Sequence, residues 1–582
     1  MKAWYRGVHY PVTAHVFHAS TDHPAPTLTS GPGDLSSARG PADRRSWCTP
    51  DGLAAVAFER ARRRSSPSGE THSSSPSHAI FDMNHERFTM AHHHGMNELE
   101  GMPAFCHYGH EHQRGDRFGR MFNLAPLYTP AEELRSLGAP GGPMDGGTGT
   151  DRTDSVPVGQ IFFGQFVDHD ITLDVTSSLS GVSSAAETPN VRTPTLDLDS
   201  IYGGGPESTP FLYRQTGRFP GAELLTGAHG TAASIDDNGS TVPQPPGLAQ
   251  YDLWRSPDGT AVIGDPRNDE NRVISQMQLA MIRFHNGILQ TLADDGLHGE
   301  TFEGEELFEE AQKLARWHYQ WVILHEFLPH MCGEAMVSRI LGNGRQFYCP
   351  SAKDLPFIPI EFAVAAYRFG HSMIPQKVQI QKNGSSLEVF GRTLGRGFTP
   401  LDNTDAVVDW HEVTETDENR VVQMAEKLDR ALASDLLALP FIQTGESSLA
   451  TRNLLRGQAF LLPSGEQVAR AMGRDKTEIE QISDAAQSIA SDVDLSSGTP
   501  LWFYLLVEAE QIGREQEENV FQEGEGLGPV GARIVGETIV GLIELDPRSF
   551  LARDRSWNPV SDGIGVQTLG EMLTFKQVPA HA

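Results

Sequence analysis

The chain has 582 residues, with 46 lysines and arginines against 76 aspartates and glutamates, for a formal net charge of −30. Hydrophobic residues make up 38% and charged residues 21%, which suits a globular core. The acidic balance argues against nucleic acid as a partner. The four cysteines (Cys48, Cys106, Cys332, Cys349) contain no CxxC pair, which argues against a cysteine zinc site and a disulfide scaffold. No apolar run approaches the roughly 20 residues of a bilayer span.

Residues 1–78 are rich in Ser, Pro, Gly, Arg and His, as in RRRSSPSGETHSSSPSH, and read as a low-complexity, disordered segment. The N-terminus has no apolar stretch of signal-peptide type. The chain therefore reads as soluble, with its compartment undecided and export by another route open. The histidines and cysteine of AHHHGM and CHYGHEHQ read as a polar loop, with a transition-metal site the weaker alternative. From about residue 79 to 577 apolar residues recur without a long linker, which predicts one large, mainly α domain with few short strands.

In chain order, VGQIFFGQFVDHDI reads as a buried helix. NRVISQMQLAMIRFHNGILQTLADD carries an apolar stripe through Val273, Met277, Ala280, Met281, Phe284 and Ile288. EELFEEAQKLARWHYQWVILHEFLPHM starts acidic and becomes apolar. PIEFAVAAYRFGHSMI opens with Pro and Glu, which suit a helix N-terminus. NRVVQMAEKLDRALASDLLALP and PVGARIVGETIVGLIELD read as further helices. QKVQIQK and LEVFGR are the clearest strands.

Five short motifs carry chemistry. In the first helix, Gln165, Asp168 and His169 fall near one face, whereas Asp170 is rotated about 100° from His169. That geometry argues against a hydrolase metal site built from Asp168, His169 and Asp170 together. In TPTLDLDS, Thr193, Thr195, Asp197 and Asp199 alternate and offer hard oxygen ligands suited to Ca²⁺, with Asp170 able to add a carboxylate. A solvated acidic turn is the bland reading of the same residues. GDPRNDEN places Arg267 and Glu270 three apart beside an apolar helix; such a pair is most often a surface ion pair. AYRFGHSMIP sets Arg368 and His371 among apolar residues, as a core histidine or as an axial haem ligand. TRNLLRG places Asn453 and Arg456 three apart.

Order and spacing of these five motifs resemble the animal-type haem peroxidase (peroxidase–cyclooxygenase) superfamily over about residues 80–570. FGRMFNLAPLYTPAEELRSLG is similar to the entry segment of bacterial members. The resemblance implies His371 as the haem-iron ligand, donating its other N–H to Asn453. It implies His169 as the acid/base that handles peroxide protons, Arg267 as the group that stabilises charge, and Gln165 as holder of a distal water or halide. Arg368 and Arg456 would pair with haem propionates. Asp168 and Glu270 match the carboxylates that family members esterify to haem b. Asn271 stands where the family's granulocyte member has a Met that makes a third link, so that link is not expected. Thr193, Thr195 (through its main-chain carbonyl), Asp197, Asp199 and Asp170 match the family's calcium site.

The resemblance thus implies a peroxidase. It would use hydrogen peroxide to oxidise small donors, namely halides, thiocyanate or aromatic compounds. Two rival readings stand beside it. A fatty-acid dioxygenase of the same superfamily would need a Tyr three residues before the proximal His, where this chain has Arg368. A haem-free binding module would not need His169, Arg267 and His371.

Overall fold

The computed structural model describes residues 117–576, apart from short stretches at 150, 180, 231–232, 236–240, 244–246, 351–354 and 417–419. The expectations for residues 1–78 and for the His/Cys-rich segments lie outside the described residues. Among the described residues the fold is mainly α, and every sheet has two short strands. No described helix is long and apolar enough to cross a membrane.

Strand β1 (Arg152–Pro157) runs directly into helix α1 (Val158–Ile171), the DHD helix. Twelve of the fourteen α1 residues are buried. A helix apolar all round has no solvent face, so it belongs in the centre of the core. Its first N–H groups find partners outside the helix. Val158 N–H donates to the Gln423 carbonyl (2.9 Å) and Gly159 N–H to the Val413 carbonyl (2.8 Å). The approach there is so close that a Cβ on Gly159 would lie 2.5 Å from Thr414 Cγ2. On the other side Phe163 meets Tyr319 and Phe327 edge-on, with ring centroids 5.8 Å apart in both pairs.

Helix α2 (Arg272–Asp295) packs on α1 and also on α3 (Gly304–Val322). Asn271 caps α2, its side chain accepting from Ile274 N–H. Beyond α3 the helix passes through a π turn at Ile323–Phe327. The segment read as a helix around His371 takes another form. It is a π turn at Glu361–Ala365 followed by a 3₁₀ segment, Ala366–His371, with a break at Ala365 (φ −129°, ψ −75°). The break changes the direction in which Arg368 and His371 are presented.

Strands β2 (Lys377–Val378) and β3 (Leu387–Glu388) form the expected antiparallel pair, only two residues long. The helix expected over residues 419–440 is absent. Strand β4 (Met424–Glu426) lies there instead, antiparallel to β1, and only Ser434–Leu437 is helical. Pairing with β1 overrides the local helical pattern. The chain then forms α4 (Leu449–Ala459), α5 (Leu501–Gln511) and α6 (Pro529–Leu545).

Buried carboxylates fasten loops to this frame. Glu361 accepts from Met121 and Phe122 N–H (2.9 and 3.2 Å), and Glu525 from Asp154 N–H (2.8 Å) just before α1. Glu508 accepts from Val530 N–H (3.1 Å) at the start of α6, and burial pushes its carboxyl up to about 8.

Candidate haem and cation sites

One turn of α1 faces three different neighbours. Asp168 accepts a hydrogen bond from Thr172 Oγ1 (2.8 Å). Burial raises its carboxyl pKa against the pull of Arg267. His169 places Nδ1 2.7 Å from Asn268 Oδ1. Its Nε2 lies 3.9 Å from Glu270 Oε1, beyond hydrogen-bond range. Burial, with Arg267 close by, lowers the imidazole to about 3, so the ring is neutral. Asp170 turns the other way, accepting from Leu198 N–H (3.1 Å).

The 3₁₀ turn Pro266–Asp269 presents the second set of groups. Arg267 is clamped by Asp265 (2.7 Å) and donates to the His169 carbonyl (2.9 Å). Against the upward push of burial, Arg267 and Arg192 hold Asp265 well below the ordinary carboxylate range. Gln165 donates to Glu270. Burial pushes Glu270 up to about 7, with Arg267 opposing. Arg267 and Glu270 keep 23% and 25% side-chain accessibility among buried neighbours.

On the His371 side, Arg368 Nη1 donates to Asn453 Oδ1 (2.8 Å). Arginine can only donate, so the Asn453 amide turns its NH₂ toward His371 Nδ1, also at 2.8 Å. This reverses the expectation that His371 donates to Asn453. Arg368 has claimed the acceptor oxygen. His371 Nε2 has no hydrogen bond from the described residues, and burial with Arg368 close by lowers the ring to about 3. Burial and Arg456 lower Arg368 to about 10, and Asp168 opposes them. Arg456, expected at a propionate, pairs with Asp174 (3.0 Å) and with Ser177.

The carboxylates of Asp170, Asp197 and Asp199 are buried, with ligand atoms within 4.8 Å of one another. Asp170 Oδ1 and Thr195 Oγ1 are buried without a hydrogen bond. Thr193 Oγ1 donates to Asp197 (3.2 Å) and Asp199 (3.1 Å). Burial and mutual repulsion raise Asp170 far above the ordinary range, and Asp199 also rises despite Arg192. Three buried carboxylates, one with an orphaned oxygen, beside the orphaned Thr195 hydroxyl fit a hard divalent cation. Arg548 adds a charge partner at 2.7 Å from Asp197.

Sequence reading missed Asn268, Asp265, Arg192 and Gln278. Asn268 and Asp265 stand inside the GDPRNDEN motif that supplied Arg267 and Glu270. Arg192 and Gln278 carried no local signal, because their partners are remote in the chain.

A family model described as animal haem peroxidase matches residues 174–493, more than half of the chain. The chain belongs to the animal haem peroxidase family, whose members bind haem. Among curated relatives it is 27% identical over 309 residues to dual oxidase 1 of Caenorhabditis elegans, covering 50% of this chain and 19% of that one. It is 24% identical over 308 residues to chorion peroxidase of Aedes aegypti, covering 50% and 34%. The chain thus spans from about a fifth to a third of the length of these relatives. Peroxidase A from Dictyostelium discoideum has a similar fold, with a TM-score of 0.51 at 15% identity over 80% of this chain and 94% of that one.

Proposed function

We propose that the chain is a haem peroxidase that uses hydrogen peroxide to oxidise small donors, halides or thiocyanate and aromatic compounds. The observation that carries this reading is His169. It is a neutral imidazole bound through Nδ1 to Asn268, its Nε2 3.9 Å from Glu270 Oε1, with Arg267 held on the His169 main-chain carbonyl. When bound, haem supplies the redox chemistry by which peroxide is reduced and a donor oxidised.

The chain's own residues supply holding groups and proton handling. His371 would hold the iron through Nε2, the ring nitrogen that Asn453 does not engage. With haem bound, Arg368 would hold a propionate, and Asn453 Oδ1 would then be able to accept from His371 and tune it. Arg456, oriented by its pairing with Asp174, would hold the second propionate. His169 Nε2 accepts the first peroxide proton and returns it to the departing oxygen, so that water leaves. Arg267, already oriented by Asp265, stabilises negative charge on that oxygen. Gln165 positions a water or halide.

Burial raises the Asp168 and Glu270 carboxyls. We assign them the two haem ester bonds; in each, hydrogen peroxide would oxidise a haem methyl group by two electrons, a C–H bond giving way to the carboxyl C–O bond with release of two waters. Asp170, Thr193, Thr195, Asp197 and Asp199 would hold Ca²⁺. Tyr367 donates its hydroxyl to the Gly164 carbonyl (3.2 Å), which favours the peroxidase over the dioxygenase reading.

Reconstitution with haem tests the reading. A Soret band and peroxide-dependent iodide oxidation are expected, both lost in His371→Leu. After peroxide treatment the haem should resist acid–acetone extraction. Asp168→Asn and Glu270→Gln should each free one link. A wild-type chain that takes up haem yet shows no peroxide-dependent oxidation refutes the proposal.

A further inference from the structure

We propose that Gln278, far from the reacting atoms, is a positioning residue that sets the tautomer of His169 from the cation loop. The chemistry rests on the peroxidase reading; the tautomer does not.

An imidazole paired only with an asparagine has no fixed tautomer. The amide can offer either its oxygen or its NH₂, and the ring adapts. Here the amide is not free to choose. The Ser200 main-chain carbonyl can only accept, and it accepts from Gln278 Nε2 at 3.0 Å. That orients Gln278 Oε1 toward Asn268, whose Nδ2 donates to it at 2.8 Å. Asn268 Oδ1 is thereby aimed at His169 Nδ1 at 2.7 Å, and Nδ1 must carry the proton. Nε2 is left with its lone pair, the form a peroxide base needs.

Each member of the chain is buried: Ser200, Gln278 and Asn268 are 0% exposed and His169 is 5% exposed. Reversing the donors would strand these buried polar groups without partners. The anchor is equally fixed. Ser200 follows Asp199 of the cation cluster. A Cβ on Gly264 would sit 2.6 Å from the Ser200 carbonyl oxygen and 2.8 Å from that of Asp199, so the loop carrying Arg267 rests directly on them. Arg192 ties the same two loops a second time, reaching Asp265 at 2.5 Å and Asp199 at 3.4 Å.

The test uses the full chain with ¹⁵N-labelled histidine, His169 being assigned by its loss in His169→Gln. The wild type should show the Nδ1–H tautomer. Gln278→Met, similar in size but without hydrogen bonds, should lose it, giving the Nε2–H form or a mixture. Gln278→Glu keeps the acceptor and should retain it. Asn268→Asp in the Gln278→Met background offers His169 an acceptor whichever of its two oxygens faces the ring and should restore it. In the haem-loaded protein the peroxide step should fall in Gln278→Met, up to the ~10²–10⁴-fold that a positioned base contributes, and recover in the double variant. An Nε2–H wild type, or a folded Gln278→Met that keeps Nδ1–H, overturns the role. A chain that shows the expected tautomers but binds no haem refutes the peroxidase reading and leaves the positioning role standing.

Discussion

Glu270→Gln in the haem-free protein should change how stability depends on pH. Burial raises this carboxyl from 4.5 to about 7. The folded chain therefore binds a proton that the unfolded chain has already released between those values. The stabilising contribution is complete below about pH 4.5 and is lost as pH rises through 7. At 1.36 kcal/mol per pH unit, the loss is about 3 kcal/mol. Glutamine cannot titrate, and it keeps an oxygen for the Gln165 amide. Urea midpoints measured at pH 5 and pH 8 should therefore separate less in Glu270→Gln than in the wild type, by about 3 kcal/mol after conversion with the urea slope. Equal pH dependence in the two proteins would refute the idea that Glu270 is held neutral by its burial.

Chelation should lower the melting temperature. A cation held at 1,000 times its dissociation constant contributes about 4 kcal/mol. With ~2.1 cal/mol/K per residue over roughly 450 residues, this amounts to a shift of about 4 °C. Calorimetry with and without EGTA measures it, and Asp170→Asn should abolish the difference. Arg255→Met should cost about 3–5 kcal/mol in chemical denaturation, because it strands two buried carboxylates. Arg255 is fully buried and bonds Asp269 through both terminal nitrogens at 2.7 Å, with Asp252 on its other side.

Helix α1 was legible because its apolar pattern runs around the whole cylinder, and the back-to-back placement of His169 and Asp170 came from helical rotation alone. The segment around His371 was legible in its residues but not in its shape. A π turn and a 3₁₀ turn share the apolar content of an α-helix and differ only in hydrogen-bond register. The failed helix over residues 419–440 shows the reverse effect, since β4 exists through a strand about 270 residues earlier in the chain. The tautomer chain was out of reach for the same reason. His169 and Asn268 are 99 residues apart, and Gln278 meets the carbonyl of a residue 78 positions away. Nothing local marks one glutamine among the polar residues of α2 as a hydrogen-bond relay.

Because Asp168, His169 and Asp170 address three separate neighbours from successive positions of one buried helix, α1 works as a ruler of fixed length. A substitution there removes one contact. Inserting or deleting one residue turns every later side chain by about 100° and misdirects all three at once. Divergence in this stretch is therefore confined to replacement, and length variation must be absorbed elsewhere, in the loops after Ile171 or before Arg152.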